Sequence, residues 1–267
     1  QIEIDATQYA YASYSIGNRE PTRQNFKDAT GDPESTPRAE QLRDLEMGYS
    51  FSSHSFAASV NLYYMDYNNQ LVPTGEFSND GYPIMTNVEK SYRAGMELSV
   101  GVKPVSFLEW NASLTLSRNR IRDFEESYVD FNSSTWEGTA TSRTLGDVDI
   151  AYSPSVISSS DLAFHLAESM ELHFISQYVS EQYFVNTMNE SMKLDAWFVN
   201  SLRFDYSFPL KRVGVVGLQF QVNNLFNTLF ENNAYGGTWW QDGEEYYWSA
   251  YFPQATINYL AKVSLRF

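Results

Sequence analysis

The sequence predicts an all-β fold, and more specifically a transmembrane antiparallel β-barrel whose strands run up and down. Apolar and polar residues alternate in one segment after another, and the connections between these segments alternate between long and short. No segment has the run of about 20 apolar residues that a membrane helix needs. Aromatic residues make up 16% of the 267 residues, a composition that favours strands over helices.

Alternation with a period of two identifies ten strands. The last one, 255–267, places Ile257, Tyr259, Ala261, Val263, Leu265 and Phe267 on one face and Thr256, Asn258, Lys262, Ser264 and Arg266 on the other. The other nine lie at 7–16, 43–51, 55–67, 92–101, 109–119, 156–165, 171–178, 202–206 and 216–223. Most are about ten residues long, which is enough for a tilted strand to cross a bilayer.

The connections between these strands sort by length. The long, polar ones are 17–42, 68–87, 119–155, 181–193 and 224–255, and the short ones lie around 52–54, 102–104, 166–168 and 209–211. Strict alternation puts every long connection at one end of the sheet, as in outer-membrane barrels. A soluble sandwich has no reason to sort its connections in this way.

The side chains indicate which face of the sheet meets lipid. The polar face carries charged residues of every size, such as Arg93 and Glu97, which suit a wet or plugged lumen better than a packed core. The apolar face often ends in aromatic residues such as Tyr64 and Trp110, as expected for interfacial girdles. The first strand must still pair its open edge, so we expect further barrel sequence N-terminal to Gln1.

Composition argues against several functions. A net charge of -15 disfavours nucleic acid as a partner. With no cysteine and three scattered histidines, we expect neither a metal site nor a cofactor. The neighbouring carboxylates Glu125-Glu126 and Glu244-Glu245 are a weak sign of glycosidase chemistry because adjacent side chains diverge, so we expect no enzyme. Calcium at Asp147 and Asp149 stays open.

Several motifs together resemble the TonB-dependent outer-membrane receptors. "NREPTRQNFKDAT" (18–30), followed by "PRAEQLRDLEMGYSF" (37–51), resembles a family loop and the strand that descends from it. Gly95 and Glu97 resemble a later strand core, and Asn224-Leu225-Phe226-Asn227 resembles the entry to the last large extracellular loop. The closing strand with its terminal Phe267 is also similar, and the loops resemble those of Bacteroidetes receptors.

The resemblance implies that residues 1–267 are one domain, the C-terminal ten strands of a barrel with about 22 strands. The partners it implies are the missing N-terminal barrel and plug, the TonB complex, outer-membrane lipid and a small nutrient. It implies active uptake of a ferric siderophore, haem, cobalamin or oligosaccharide across the outer membrane of a Gram-negative bacterium. The lumen or plug-facing residues would be Arg93, Glu97, Arg203, Asp205, Lys262 and Arg266. Phe267 would be the signal for barrel assembly or an interfacial anchor.

The loop 231–254 is the candidate ligand site. Its aromatic and acidic side chains at a barrel mouth could stack on a ligand and orient it. The hypothesis assigns ligand binding to Trp239, Trp240, Asp242, Tyr246, Tyr247 and Trp248. The alternative is that these rings pack the loop or extend the aromatic girdle.

Two other functions remain open on the sequence alone. One is a smaller passive outer-membrane barrel or adhesin, which would have no plug. The other is a soluble β-sandwich binding module, for instance a glycan binder, which would stay in solution without detergent.

Overall fold

The computed structural model describes residues 2–29, 36–78, 81–211 and 214–267. Its strands are β1 (Ile2–Asp5), β2 (Gln8–Arg19), β3 (Glu40–Ser52), β4 (Phe56–Phe77), β5 (Pro83–Val105), β6 (Leu108–Phe131), β7 (Gly138–Asp149), β8 (Val156–Ala167), β9 (Met170–Val179), β10 (Gln182–Tyr183), β11 (Lys193–Leu194), β12 (Trp197–Leu210), β13 (Gly214–Asn223), β14 (Glu231–Gln241), β15 (Glu244–Pro253) and β16 (Asn258–Arg266). Within the predicted long connections, 30–35 and 79–80 lie outside the described residues.

The predicted antiparallel up-and-down sheet is confirmed. Its strands follow the order β1-β2-β3-β4-β5-β6-β8-β9-β12-β13-β16. Ten of these eleven are the strands that alternation predicts, and the short β1 is the addition. Among the described residues β1 and β16 do not pair with each other, so this part of the barrel is an open sheet.

The register keeps apolar residues in rows on one face of the sheet. Met47 of β3 lies opposite Leu62 of β4, and Leu62 lies opposite Met96 of β5. Met96 in turn lies opposite Leu116 of β6. Met47, Leu62 and Leu116 are exposed rather than packed against other protein elements, which fits a face that is covered by something other than this chain.

The opposite face of the sheet carries polar and charged side chains. Glu46, Asn61, Arg93 and Glu97 line a cavity of ≈ 340 Å³ on this face, and residues 152–154 of the long connection after β7 fold over it. Charged side chains therefore line the inside of the sheet and apolar ones its outside, the reverse of a water-soluble barrel.

Three of the five predicted long connections contain extended hairpin strands. The predicted connection 68–87 is largely taken up by the extensions of β4 and β5, while 119–155 contains the β6–β7 hairpin and 224–255 contains β14–β15. Two apolar clusters form in this part of the chain, which we call the loop cap: Val72, Val88, Ile121, Val148 and Ile150 in one, and Phe184, Val185, Met192, Leu194 and Ala234 in the other.

The connection from β2 to β3 contains the short helix α1 (Arg23–Asp28). Thr22 Oγ1 accepts a hydrogen bond from the Asn25 backbone N at 3.3 Å, and Asn25 Oδ1 accepts one from the Thr22 backbone N at 2.8 Å. This capping box explains Thr22 and Asn25 of the motif at 18–30. Arg19 forms an ion pair with Glu40 at 3.0 Å across the base of the connection. No helix in the described ranges is long and apolar enough to span a membrane.

Candidate ligand site in the loop cap

The β14–β15 hairpin positions the predicted ligand-binding residues. Its turn is made by Asp242 (φ 54) and Gly243 (φ 79), both in the left-handed region that a two-residue hairpin turn of this kind requires. Trp239 lies opposite Tyr246, and Trp240 lies opposite Glu245. Because successive residues of a strand point to opposite faces, the two tryptophans face in different directions.

The hairpin docks on the end of β6. Trp240 and Gln241 pair in parallel with Asp130 and Phe131 of β6. The Gly243 backbone N donates a hydrogen bond to Asp130 Oδ2 at 3.0 Å, and the Ser133 backbone N donates one to Asp242 Oδ1 at 3.0 Å. These bonds from Ser133 hold the pKa of the Asp242 carboxyl below its ordinary value. In this structure Asp242 fastens the hairpin to the rest of the cap.

Trp240 is the centre of an aromatic and ionic cluster. Its ring stacks on Tyr128 with centroids 4.2 Å apart, and the Arg143 Cζ lies 4.7 Å from its centroid. Arg143 also forms ion pairs with Glu126 at 2.5 Å and Glu245 at 2.8 Å. Glu126 and Glu245, which belong to different acidic pairs of the sequence, thus form ion pairs with the same guanidinium. These ion pairs connect the β6–β7 hairpin to the β14–β15 hairpin.

A cleft of ≈ 500 Å³ opens beside this cluster. Its lining is mostly aromatic, carboxylate, amide and hydroxyl groups: Thr74, Thr86, Asn87, Phe124, Glu125, Glu126, Ser127, Tyr128, Val129, Phe131, Asn186, Thr187, Thr238, Trp239 and Trp240. Two buried polar atoms of these residues, Trp240 Nε1 and Thr187 Oγ1, have no hydrogen-bond partner. Burial raises the pKa of the Glu126 carboxyl even though Arg143 acts in the opposite direction.

The chemistry of this cleft suits a small molecule. Aromatic rings offer apolar contact area, and a few polar groups can fix the orientation of a ligand. None of the lining residues is Lys, Arg or His. The lining contains the carboxylates Glu125 and Glu126 and no cation of its own, and Arg143 beside it pairs with Glu126. It therefore favours an uncharged ligand over an anionic one.

The structure divides the six predicted ligand-binding residues. Trp239 and Trp240 line the cleft, whereas Asp242, Tyr246, Tyr247 and Trp248 do not. Trp239 also stacks on Tyr246 at 5.4 Å, and Trp248 packs edge-on against Tyr235 at 5.4 Å. The rings of Trp248 and Tyr246 thus pack within the hairpin, as the alternative interpretation expects.

The lumen-facing candidates lie on the polar face in several different settings. Arg203 pairs with Asp205 at 2.8 Å, as expected of residues that neutralise one another. Arg93 Nη1 donates to Ser153 Oγ at 3.0 Å, and Glu97 Oε2 accepts from Asn61 Nδ2 at 3.3 Å.

The closing strand carries the remaining candidates. Lys262 lines a cavity of ≈ 240 Å³ that also includes Asp205. Neither Lys262 nor Arg266 forms an ion pair with another residue that the structure describes. Phe267 follows the last residue of β16 and is 97% exposed, and its role as an assembly signal stays a prediction.

Asp147 and Asp149, the residues considered for calcium binding, make contacts with other residues of the protein. Asp149 forms an ion pair with Arg120 at 2.8 Å, and Asp147 Oδ1 accepts a hydrogen bond from the Asp123 backbone N at 3.3 Å. Within the part of the chain that the structure describes, no group of three or more His, Asp or Glu side chains is arranged to hold a metal ion.

Two of the residues that contact Trp240 were not predicted from the sequence. Tyr128 and Arg143 come from the β6–β7 hairpin, which lies within the connection 119–155 predicted from the sequence. The Asp242-Gly243 dipeptide between alternating aromatic residues is a hairpin signal that would have placed Trp239 and Trp240 on opposite faces. Nothing local to Arg143 marks it as the partner of Glu245.

Comparison with protein families shows the family to which this chain belongs. The family described as TonB dependent receptor-like, beta-barrel, matches residues 4–225. The chain belongs to this family. Membership confirms the resemblance seen in the motifs of the loops and strands. No curated protein matches the sequence.

Solved structures of TonB-dependent receptor-like proteins share the fold of this chain. The ferric-catecholate import receptor Fiu from E. coli K12 is 14% identical with a TM-score of 0.65, covering 99% of this chain and 34% of its own. The copper transporter OprC is 16% identical with a TM-score of 0.69, covering 99% and 38%. The siderophore receptor PiuA from Acinetobacter baumannii is 14% identical with a TM-score of 0.65, covering 98% and 34%. This chain thus spans little more than a third of the length of these receptors.

Proposed function

We propose that this chain is part of an outer-membrane receptor that takes up a scarce nutrient in a Gram-negative bacterium, with energy supplied by the TonB complex. The observation that carries the proposal is the combination of family membership with a sheet that is apolar outside and charged inside. Such a sheet is stable where hydrocarbon covers the outer face and water or a plug fills the lumen. The receptor acts as a transporter and does no chemistry on its cargo.

The rest of the barrel and the plug belong to other sequence of the same receptor in this proposal. The open sheet supports this, because unpaired backbone groups at its edges cannot be left in lipid. A complete barrel would then have about 22 strands. A Bacteroidetes origin is part of the proposal and is supported by the style of the loops alone.

The cleft in the loop cap is the proposed point of contact with the cargo. It lies among the long connections, at the end of the sheet that faces outward in this proposal, and Trp239 and Trp240 line it. Its acidic lining supports an uncharged, hydroxyl-rich cargo such as an oligosaccharide over an anionic ferric chelate. The ferric siderophore, haem and cobalamin alternatives then depend on contacts made elsewhere in the receptor.

Growth of a deletion strain tests uptake directly. The gene for the full receptor is deleted, and growth is measured on single iron, cobalamin and oligosaccharide sources. One source should fail to support the deletion strain, and re-expression should restore growth only when TonB is present. Equal growth without TonB would indicate a passive barrel, and protein found in the soluble fraction would indicate a soluble binding module.

Substitution of Trp239 tests the cleft. In the full receptor, Trp239→Ala should weaken binding of the nutrient found above by about tenfold, equivalent to about 1.4 kcal/mol. Trp136→Ala is the matched control, because Trp136 is a loop tryptophan that is 72% exposed and does not line the cleft. Unchanged affinity after Trp239→Ala would refute ligand contact at this ring.

A further inference from the structure

The barrel wall contains a bulge where the sheet meets the loop cap. β6 pairs with β8 as far as Leu116 and with β7 from Arg120 onward. Between these two positions, the three residues 117–119 of β6 face the six residues 150–155 of the segment that joins β7 to β8. The surplus takes this segment out of the line of the strand. We call residues 150–155 the wall bulge.

Hydrogen bonds attach the wall bulge to the chain segments that form the cleft. Asn186 lines the cleft and is 3% exposed, and its Oδ1 accepts a hydrogen bond from the Ala151 backbone N at 2.8 Å. The Tyr152 backbone N donates to the Tyr183 carbonyl O at 2.8 Å, and the Tyr152 hydroxyl donates to the Ala234 carbonyl O. Ala234 belongs to β14, which also contributes to the cleft lining. The position of the bulge therefore depends on the walls of the cleft.

Other hydrogen bonds attach the wall bulge to the lumenal side of the sheet. Residues 152–154 line the lumenal cavity of ≈ 340 Å³ together with Arg93. Arg93 Nη1 donates to Ser153 Oγ at 3.0 Å, and Ser117 Oγ donates to the Pro154 carbonyl O at 3.1 Å. The bulge thus lies between the cleft of the cap and the lumenal cavity, and hydrogen bonds connect it to the lining of both.

The backbone of the wall bulge is strained at Tyr152. Its φ of 54 lies in the left-handed region, which a bulky aromatic residue rarely adopts. Such a conformation persists only where the surrounding contacts hold it, and it is typical of ligand clamps and switch regions. Loss of the contacts on one side of the bulge therefore allows Tyr152 to relax, which weakens the contacts on the other side.

We propose that the wall bulge is a latch between the cleft and the lumen. In the position seen here the bulge closes the cleft on its lumenal side, and Arg93 holds it there through Ser153. When that hydrogen bond breaks, the bulge relaxes, Asn186 loses its partner at Ala151, and the cleft opens toward the lumen. Cargo can then pass inward from the cleft. This inference rests on the uptake function proposed above, because it concerns regulation of the cleft assigned to the cargo.

The reactivity of a thiol in the cleft tests the latch in the purified full receptor without any cargo. The chain has no cysteine, so Thr187→Cys places one thiol in the cleft lining, at a residue whose hydroxyl is buried without a hydrogen-bond partner. Any cysteine elsewhere in the receptor is first replaced by serine. A buried thiol reacts with a water-soluble maleimide only when its site opens, so the reaction rate measures opening of the cleft.

Loss of the lumenal anchor should open the cleft. Arg93→Gln, added to Thr187→Cys, should raise the reaction rate about fivefold. Arg203→Gln is the matched control, because Arg203 also lies on the polar face but pairs with Asp205, and it should leave the rate unchanged. An unchanged rate after Arg93→Gln, or an equal increase after Arg203→Gln, would overturn the latch.

A double-mutant cycle tests whether Arg93 acts through the bulge. Ser153→Ala should also raise the rate about fivefold, and Arg93→Gln added to it should raise the rate no further. Additive increases would refute a shared latch. Heat-modifiable migration on gels verifies that each variant folds, and Ser153→Ala decides alone if Arg93→Gln does not. Growth without TonB would refute the proposed function, whereas an unchanged thiol rate in a receptor that supports TonB-dependent growth refutes only the latch.

Discussion

The barrel sheet and the loop cap place their apolar side chains in opposite ways. In the sheet, Phe220 of β13 points outward and is 48% exposed. In the cap, Phe184 is 0% exposed and packs edge-on against Tyr251 at 5.8 Å. Apart from Ala163, the buried apolar side chains among the described residues lie in the cap and the chain segments that meet it.

The difference follows from what surrounds each region. The cap projects from the membrane in our proposal, so water drives its apolar side chains into protein clusters. The strands below it meet hydrocarbon, so apolar side chains gain nothing by turning inward and the polar ones line the lumen. Apolar side chains are therefore buried in the cap and exposed on the strands, and the two regions meet near the stacked rings of Tyr64 and Tyr92.

The largest expected difference comes from the same truncation made in each region. Phe184→Ala should leave a cavity in the cap and cost about 3–5 kcal/mol of local stability. Phe220→Ala should cost about 1.5–3 kcal/mol, since lipid fills the space and only the transfer of the ring is lost. Hydrogen exchange by mass spectrometry should show faster exchange in the cap for the first variant and unchanged exchange there for the second. Equal exchange in the cap would contradict the comparison.

Loss of an ion pair should also cost more stability in the cap than in the sheet. Arg143→Met leaves Glu126 and Glu245 unpaired, with side chains 11% and 22% exposed, and should cost the cap about 1–3 kcal/mol. Arg203→Met removes a pair on the polar face, where the two side chains are 27% and 31% exposed, and should cost less than about 1 kcal/mol. Limited chymotrypsin digestion of the β14–β15 hairpin, which is rich in aromatic residues and contains no Lys or Arg, measures the first effect. Adding Glu126→Gln to Arg143→Met should restore part of the protection, and no rescue would argue against the unpaired charge as the cause.

The smallest effect is a titration in the cap. The hydrogen bond that the Tyr183 hydroxyl donates to Glu190, together with burial, raises the pKa of Tyr183 to about 12. Because the folded pKa lies above the unfolded value of about 10, this bond stabilises the cap fully below pH 10 and is lost as the pH rises through about 12. The absorbance difference between wild type and Tyr183→Phe should titrate near pH 12, and near pH 10 in Glu190→Gln. A midpoint near pH 10 in the wild type would show that the bond does not form.

The sheet could be predicted from the sequence because, in our proposal, one face of each strand meets hydrocarbon and the other faces the lumen. Met47, Leu62, Leu116 and Phe220 alternate with polar neighbours, and this local period determines both the strand and the face of each residue. The family motifs could also be recognised from the sequence. In the structure, Thr22 of these motifs caps a helix and Arg19 forms an ion pair with Glu40.

The cap could not be predicted in the same way because its contacts are distant along the chain. Arg143 and Glu245 are 102 residues apart, and no local pattern joins them. The aromatic residues of 231–254 were recognised as a ligand-binding candidate, and of the six residues named Trp239 and Trp240 line the cleft; their contact with a ligand stays a prediction. The strand count of the complete barrel and the role of Phe267 stay predictions.

The most direct test of the account is the environment of each face of β13 in lipid. The chain has no cysteine, so single cysteines at positions 218 and 220, and at 219 and 221, can carry nitroxide labels in the full receptor in bilayers. We expect labels replacing Leu218 and Phe220 to collide with oxygen dissolved in hydrocarbon, and labels replacing Gln219 and Gln221 to collide with a water-soluble nickel complex. Labels at 218 and 220 that report bulk water or a packed protein interior would contradict the lipid-facing sheet and the receptor assignment built on it.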